Sequence, residues 1–279
     1  MRCDCHIHIV GPIGRYPQIP TRAYQAAEAP LAVLMAHGAA SGVTRFVVVQ
    51  PSFYGSDNTL LLESLDALAG EGRGVAVIDP ATPGASLADF ARRGVRGLRL
   101  NLYSTSAGRE LHQIGGLFMP LADIAAGMGW HVELIAGIDV LLGAADLFAR
   151  ARVSIVIDHY GLYGHATPQS GHGRALLDLF RLPNIWIKLS APYRVSDDPL
   201  CTRPDPAWLA AIVAAAPGRC VWGSDWPHSP LHEQGRADLQ RPYRPLSYAT
   251  LVDKFLAALG HDAAAQAIMI DNPARLYGF

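Results

Sequence analysis

Runs of like charge are missing from this chain: 23 lysines and arginines stand against 24 aspartates and glutamates, and the formal net charge is −1. That balance removes the electrostatic footprint that nucleic-acid binding requires. Apolar runs are short too. None approaches the roughly 18 residues of a membrane span, and the N-terminus enters a strand-like run with no signal-peptide hydrophobic segment, so a soluble, cytoplasmic protein is expected. Cysteine is scarce. Cys3, Cys5, Cys201 and Cys220 are too few for a disulfide framework. The C-x-C pair at 3 and 5 lies on an apolar strand face, which argues against a metal clip.

What is present is a regular alternation. Short β-branched runs at 3–9, 44–50, 74–79, 95–101, 130–135, 153–159, 184–190 and 219–225 are separated by Ala/Leu-rich stretches of helical period. The helices are expected at about 30–41, 58–70, 85–93, 117–127, 138–150, 173–181, 205–216 and 248–259. Eight βα units in 279 residues predict an α/β chain folded as one (β/α)8 TIM-type barrel, a single domain over 1–279. A short helix and the Asn272-Pro273 turn would close its C-terminal side.

The strands end in chemistry. Their C-terminal residues are His6 and His8, Gln50, Asp79, Arg99 and Asn101, Glu133, Asp158 and His159, Lys188 and Ser190, and Asp225. In a barrel all these ends open on one mouth, where active sites of this architecture are built. Within the first strand, strict alternation sends Cys3, Cys5, Ile7 and Ile9 to the helix-facing side and Asp4, His6 and His8 to the other. Long loops follow the first, sixth and last strands and carry Arg15, Tyr16, Arg22, Tyr24, His165, His228, His232, Arg236 and Arg241.

Four residues stand nearest the barrel axis: His6, His8, His159 and Asp225. Three imidazoles and a carboxylate suit one divalent cation such as Zn²⁺, which would acidify its bound water. The same four can also work alone, with Asp225 as general base and the histidines bonding a carbonyl oxygen as charge develops on it. Either route hydrolyses an activated acyl carbon. Glu133 reads equally as a mouth residue or a salt-bridged structural acid. His37, His112, His131, His165, His172 and His261 stay outside the site, and Trp222 and Trp226 read as packing.

D-x-H-x-H in the first strand, D-H in the sixth, G-S-D-W-P-H in the eighth and the closing N-P-A-R-L-Y-G-F together resemble the amidohydrolase superfamily in its amidohydrolase-2 branch. R-A-Y at 22–24, V-V-V-Q-P-S at 47–52, G-V-R-G-L-R-L-N at 94–101 and K-L-S-A-P-Y-R at 188–194 resemble the 2-pyrone-4,6-dicarboxylate lactonase group and related lactonases.

The resemblance implies a hydrolase opening a small carboxylated lactone of pyrone, muconolactone or sugar-acid type. Asp225 would activate water, His6, His8 and His159 would polarise the carbonyl, and Tyr24, Arg99 and Arg194 would surround the substrate carboxylates. Asn101 and His228 are added to the substrate-binding set. Thr105 stands where the pyrone lactonases carry a further arginine, so one carboxylate clamp is missing. Arg99 and Asn101 replace the strand-four lysine of binuclear relatives. The resemblance therefore implies a site that needs no cofactor or, alternatively, one Zn or Mn ion on His6, His8, His159 and Asp225. Two rivals remain: a metal-dependent decarboxylase using Asp4 as an additional carboxylate, and a non-catalytic metabolite-binding barrel.

Overall fold

The computed structural model describes residues 1–103, 111–230 and 238–279, except the side chains of 111 and 112. Thr105, His232 and Arg236 lie outside the described residues, as does the side chain of His112. Eight parallel strands form the barrel: β1 (Arg2–Ile7), β2 (Val43–Val49), β3 (Gly72–Ala76), β4 (Val95–Asn101), β5 (His131–Ile135), β6 (Ile155–Ile157), β7 (Ile185–Ser190) and β8 (Cys220–Gly223), paired in that order. Helices fill the connections, among them Leu31–Ala40, Thr59–Ala67, Gly84–Arg92, Leu111–Met128, Gly171–Arg181, Pro206–Ala215 and Tyr248–Leu259. Ser170, Asp205 and Ser247 start three of them by accepting a hydrogen bond from the backbone three residues on. No helix among the described residues is long and apolar enough to cross a membrane.

The ring closes between β8 and β1. Asp225 N donates to His6 O at 2.9 Å, and His8 N donates to Trp226 O at 2.8 Å. Gly223 makes this approach fit, because a Cβ there would stand 2.6 Å from His6 Cβ and 2.8 Å from His6 N. Asp4 staples the same seam: its Oδ1 accepts from Ser224 N at 2.9 Å and its Oδ2 from Tyr248 OH at 3.0 Å. Asp4 is therefore committed to the barrel wall and does not reach the mouth, which corrects the assignment that strict alternation made for it.

A bulge is the reason. Asp4 pairs with Phe46 and Ile7 with Val48, so three residues of β1 span two of β2. The additional residue shifts the side-chain phase. Cys3 and Cys5 consequently pack inside the barrel with Val47, Val75, Val156 and Val221, not under the helices, while Ile7 and Ile9 join the outer, helix-packed core. His6 and His8 still point inward. Without the bulge, either the cysteines or the histidines would face the wrong side.

The opposite end of the barrel is plugged by the C-terminal helix Asn272–Tyr277, whose Tyr277 is buried against His131 with ring centroids 5.3 Å apart. Arg73 fastens it by donating to Tyr277 O at 3.1 Å and Gly278 O at 2.6 Å, its guanidinium 4.5 Å from the Phe279 ring. At the mouth, the loops after β1 and β8 meet in a two-residue parallel pair, Gln25–Ala26 with Gln240–Arg241.

Candidate active site

The loop after β8 turns sharply enough to hold Asp225 at φ +59°, and the loop after β6 holds His159 at φ +50°. Neither residue is glycine, and left-handed backbone at such positions costs about 1–3 kcal/mol, which the surrounding packing must supply. The consequence is convergence. Asp225 Oδ1 lies 3.5 Å from His6 Nε2, 3.5 Å from His8 Nε2 and 4.0 Å from His159 Nε2, and all four side chains are buried.

The other carboxylate oxygen is occupied. Tyr193 OH donates to Asp225 Oδ2 at 2.6 Å, and Arg194 donates from Nε at 2.9 Å, its Nη2 also 2.9 Å away. Burial pushes the Asp225 carboxyl up, but the Arg194 guanidinium overrides it and holds the group well below the usual carboxylate range. Oδ1 keeps no hydrogen-bond partner among the described residues. Burial also drives the imidazoles neutral: His6 falls well below its ordinary value, His8 falls, and His159 falls to about 4.

Each ring is oriented from behind. His8 Nδ1 donates to Val49 O at 2.7 Å, which fixes its proton there and leaves Nε2 a bare acceptor. His159 Nδ1 bonds Ser190 Oγ at 2.8 Å. His6 Nδ1 receives a hydrogen bond from Lys188 Nζ at 3.2 Å. Lys188 is itself buried in contact with Glu133 Oε2 and 3.7 Å from Asp158 Oδ1, so Glu133 belongs to an ion pair beneath the imidazoles. Desolvation pushes the Glu133 carboxyl up to about 7, against the pull of Lys188.

A small cavity opens above the four residues, lined by His8, Tyr24, Phe53, Arg99, His159 and Arg194, with Asn101 also on its wall. Arg99 is buried. Its Nη1 donates to Gln50 O at 2.6 Å, but its Nε has no partner among the described residues. The Tyr24 hydroxyl is hydrogen-bonded to Ser229. A larger hollow of about 830 Å³, lined by Arg194, Arg203 and Trp208 among others, lies on another side of Arg194. His228 reaches Asp225 only through its backbone N, which donates to Asp225 O at 2.7 Å, while its ring packs edge-on against Tyr193.

Not every strand end contributes. Gln50 turns its amide into its own loop, donating to Gly55 O and Asp57 O, and Asp79 is exposed, accepting from Ala81 N. Polar ends can cap loops as readily as line a mouth. Conversely, Tyr193, Lys188 and Ser190 touch the site residues, although sequence reasoning put Lys188 and Ser190 only at the mouth and left Tyr193 unmarked. All three lie in the K-L-S-A-P-Y-R run, of which only Arg194 was assigned a substrate contact. His6, His8 and Asp225 bring ligand atoms within 4.8 Å of one another, as do His6, Asp158 and His159, a spacing that could hold a metal ion.

The amidohydrolase family model matches residues 3–279. Among curated proteins, a 4-sulfomuconolactone hydrolase of Rhizobium radiobacter is 31% identical over 284 residues, covering 99% of this chain and 89% of that protein. A 2-pyrone-4,6-dicarboxylate hydrolase of Comamonas testosteroni is 30% identical over 289 residues, covering 98% of this chain and 89% of its own length. Among solved structures, a Pseudomonas putida protein described as a candidate 2-pyrone-4,6-dicarboxylic acid hydrolase superposes with a TM-score of 0.82 at 29% identity, covering 99% of this chain and 97% of that one.

Proposed function

This chain belongs to the amidohydrolase family, and from that premise we propose that it opens a small carboxylated lactone of pyrone, muconolactone or sugar-acid type by adding water to the acyl carbon. Relatives that act on sulfomuconolactone and pyrone dicarboxylate support this substrate class. The observation that carries the reading is the meeting of three imidazole Nε2 atoms on Asp225 Oδ1.

Because Tyr193 and Arg194 hold Oδ2, Oδ1 alone is free to accept the proton of the attacking water. Water forms the new C–O bond, the carbonyl oxygen takes up negative charge, and imidazole N–H donors facing it stabilise that charge. Collapse breaks the ring C–O bond, and the leaving oxygen takes a proton back from the site. The product carries one more carboxylate than the lactone and releases one proton.

Arg99 supplies the anion site. A buried guanidinium with a bare Nε at a cavity wall is left incomplete until a carboxylate or similar group meets it. Tyr24, Asn101 and Arg194 complete that wall. While Arg194 sits on Asp225, the carboxylate is a weak base. A substrate carboxylate that draws Arg194 toward itself restores basicity to Oδ1 when water must be deprotonated.

For a divalent cation, the donor set fits only in part. A tetrahedral site with bonds of about 2.0–2.1 Å has edges of about 3.4 Å, close to the separations here. His8, whose Nδ1–H is held by a backbone carbonyl, is prepared as a ligand. His6 is not, because an ammonium group donates to its Nδ1. The residues therefore do not fit a closed mononuclear centre. Asp4, bound at the barrel seam, is unavailable as the further carboxylate of a decarboxylase. Four unpaired cysteines support a cytoplasmic setting.

The test is a panel of sugar-acid lactones, muconolactones and pyrone carboxylates, assayed by proton release with and without chelator. Release of one proton per ring opened, unaffected by chelator, is the expected outcome. Carbon dioxide release, or no turnover across the panel, would reject the reading.

A further inference from the structure

Beneath the three imidazoles lies a buried layer of charge that the hydrolytic steps above leave unused: Lys188, Glu133 and Asp158, all inaccessible to solvent. Lys188 Nζ stands 3.2 Å from His6 Nδ1, touches Glu133 Oε2 and lies 3.7 Å from Asp158 Oδ1. We propose that Lys188 is a positioning residue that holds His6 with its proton on Nε2, so that the site presents an N–H donor there and, by the same contact, discourages divalent cations.

His6 Nδ1 is the crowded end of the ring. Three polar atoms surround it: Lys188 Nζ at 3.2 Å, Asp158 Oδ1 at 3.3 Å and Glu133 Oε1 at 3.7 Å. Asp158 Oδ1 is near enough to compete for Nδ1, but neither Asp158 oxygen nor Glu133 Oε1 makes a hydrogen bond of good geometry among the described residues. Lys188 alone sits in the bonding direction. An ammonium group has three donors and no acceptor, so the nitrogen it meets must offer a lone pair. A neutral imidazole whose Nδ1 accepts must carry its hydrogen on Nε2.

That hydrogen points into the site, where Nε2 lies 3.5 Å from Asp225 Oδ1 and has no other partner among the described residues. The neighbouring histidine of the same strand shows the opposite arrangement. His8 Nδ1 meets the Val49 carbonyl, an acceptor, so its Nε2 is bare. Opposite partners behind two adjacent rings thus give one donor and one acceptor toward the reacting group. Only the use of the donor on a lactone carbonyl rests on the function proposed above. The tautomer itself does not.

The effect on metals follows from position. Both groups of described residues that could hold an ion include His6. If His6 binds through Nε2, its proton must first leave; if through Nδ1, the ion must displace the Lys188 contact and stand beside an ammonium charge.

Two measurements test the proposal without any substrate. Two-bond ¹H–¹⁵N correlation of the labelled full chain, with the His6 signals assigned by their loss in His6→Gln, should show an unprotonated Nδ1 and a protonated Nε2. A proton on His6 Nδ1 would overturn the proposal. The double variant K188M/E133Q, which removes one charge of each sign and so limits misfolding, should bind Zn²⁺ at least about tenfold tighter than wild type in chelator competition, its His6 proton having moved to Nδ1. A folded double variant with unchanged Zn²⁺ affinity would overturn it as well. Should that variant not fold, the wild-type spectrum alone decides. Inactivity on every lactone with the expected tautomer in place would reject the proposed function and leave this inference standing.

Discussion

At the residue scale, the site depends on what stands behind each functional group. Asp225 has one oxygen locked by Tyr193 and Arg194 and one left open. Arg99 has a buried Nε with no partner among the described residues, and in the function proposed here that Nε meets the substrate anion. Arg99→Gln should raise KM for a carboxylated lactone by about 10–100-fold, the value of one charge-assisted hydrogen bond, while changing KM for an uncharged lactone little. Steady-state kinetics on a matched pair of substrates checks this. An equal loss on both would remove Arg99 from the anion site. His6, His8, His159 and Asp225 were legible in the sequence because each closes a strand whose end opens on the mouth. Lys188 and Ser190 were placed at the mouth in the same way, but their partners were not legible, and Tyr193 was not marked at all: a lysine in a β-branched run gives no sign of which imidazole it will meet across the barrel.

At the element scale, β1 and the β8 turn carry most of the architecture that matters. Their seam depends on Gly223, and a methyl group there would meet His6 backbone atoms that cannot yield. Gly223→Ala should destabilise the fold by about 1–3 kcal/mol or more, as overpacking does, and lower activity with it. Gly116→Ala, on an exposed helical position with nothing within 4 Å of the added carbon, should be neutral or stabilising by up to about 1 kcal/mol. Denaturant midpoints of the two variants provide the comparison. Tyr248→Phe, which strips the buried Asp4 carboxyl of one donor, should cost about 1–3 kcal/mol. Most helix positions were readable to within a few residues, since Ala/Leu periodicity survives tertiary packing, but the helix expected at 117–127 runs over Leu111–Met128 and the one expected at 138–150 is split into Ile138–Gly143 and Ala145–Arg150. The phase of β1 was not. A single bulge inverts the facing of Cys3, Asp4 and Cys5, and nothing in C-D-C-H-I-H announces where alternation will slip.

At the scale of the whole molecule, the barrel buries histidines in their neutral form, and that links its stability to pH. An unfolded histidine takes up its proton near 6.5, whereas folded His131 does so only at about 3 and His159 and His228 at about 4. Between these values the unfolded chain binds more protons, so stability falls as pH drops below about 6.5. Asp4, raised from 3.8 to about 6, acts in the opposite sense over part of that range. Glu133, raised from 4.5 to about 7, joins Asp4 in that sense, but His6 and His8 are lowered too, so five histidines against two carboxyls leave a net loss, and Tm should decline steadily from pH 7 to pH 4.5; a flat profile would contradict the neutral burial of these rings. The central claim is that Asp225 takes the proton of the water that opens a carboxylated lactone. It is tested most directly by stopped-flow proton release from the lactone that wild type turns over, with Asp225→Asn beside it. Wild type should release one proton per ring opened, and the variant should bind the lactone with similar affinity but turn over about 10²–10⁴-fold more slowly. A variant as fast as wild type would contradict it.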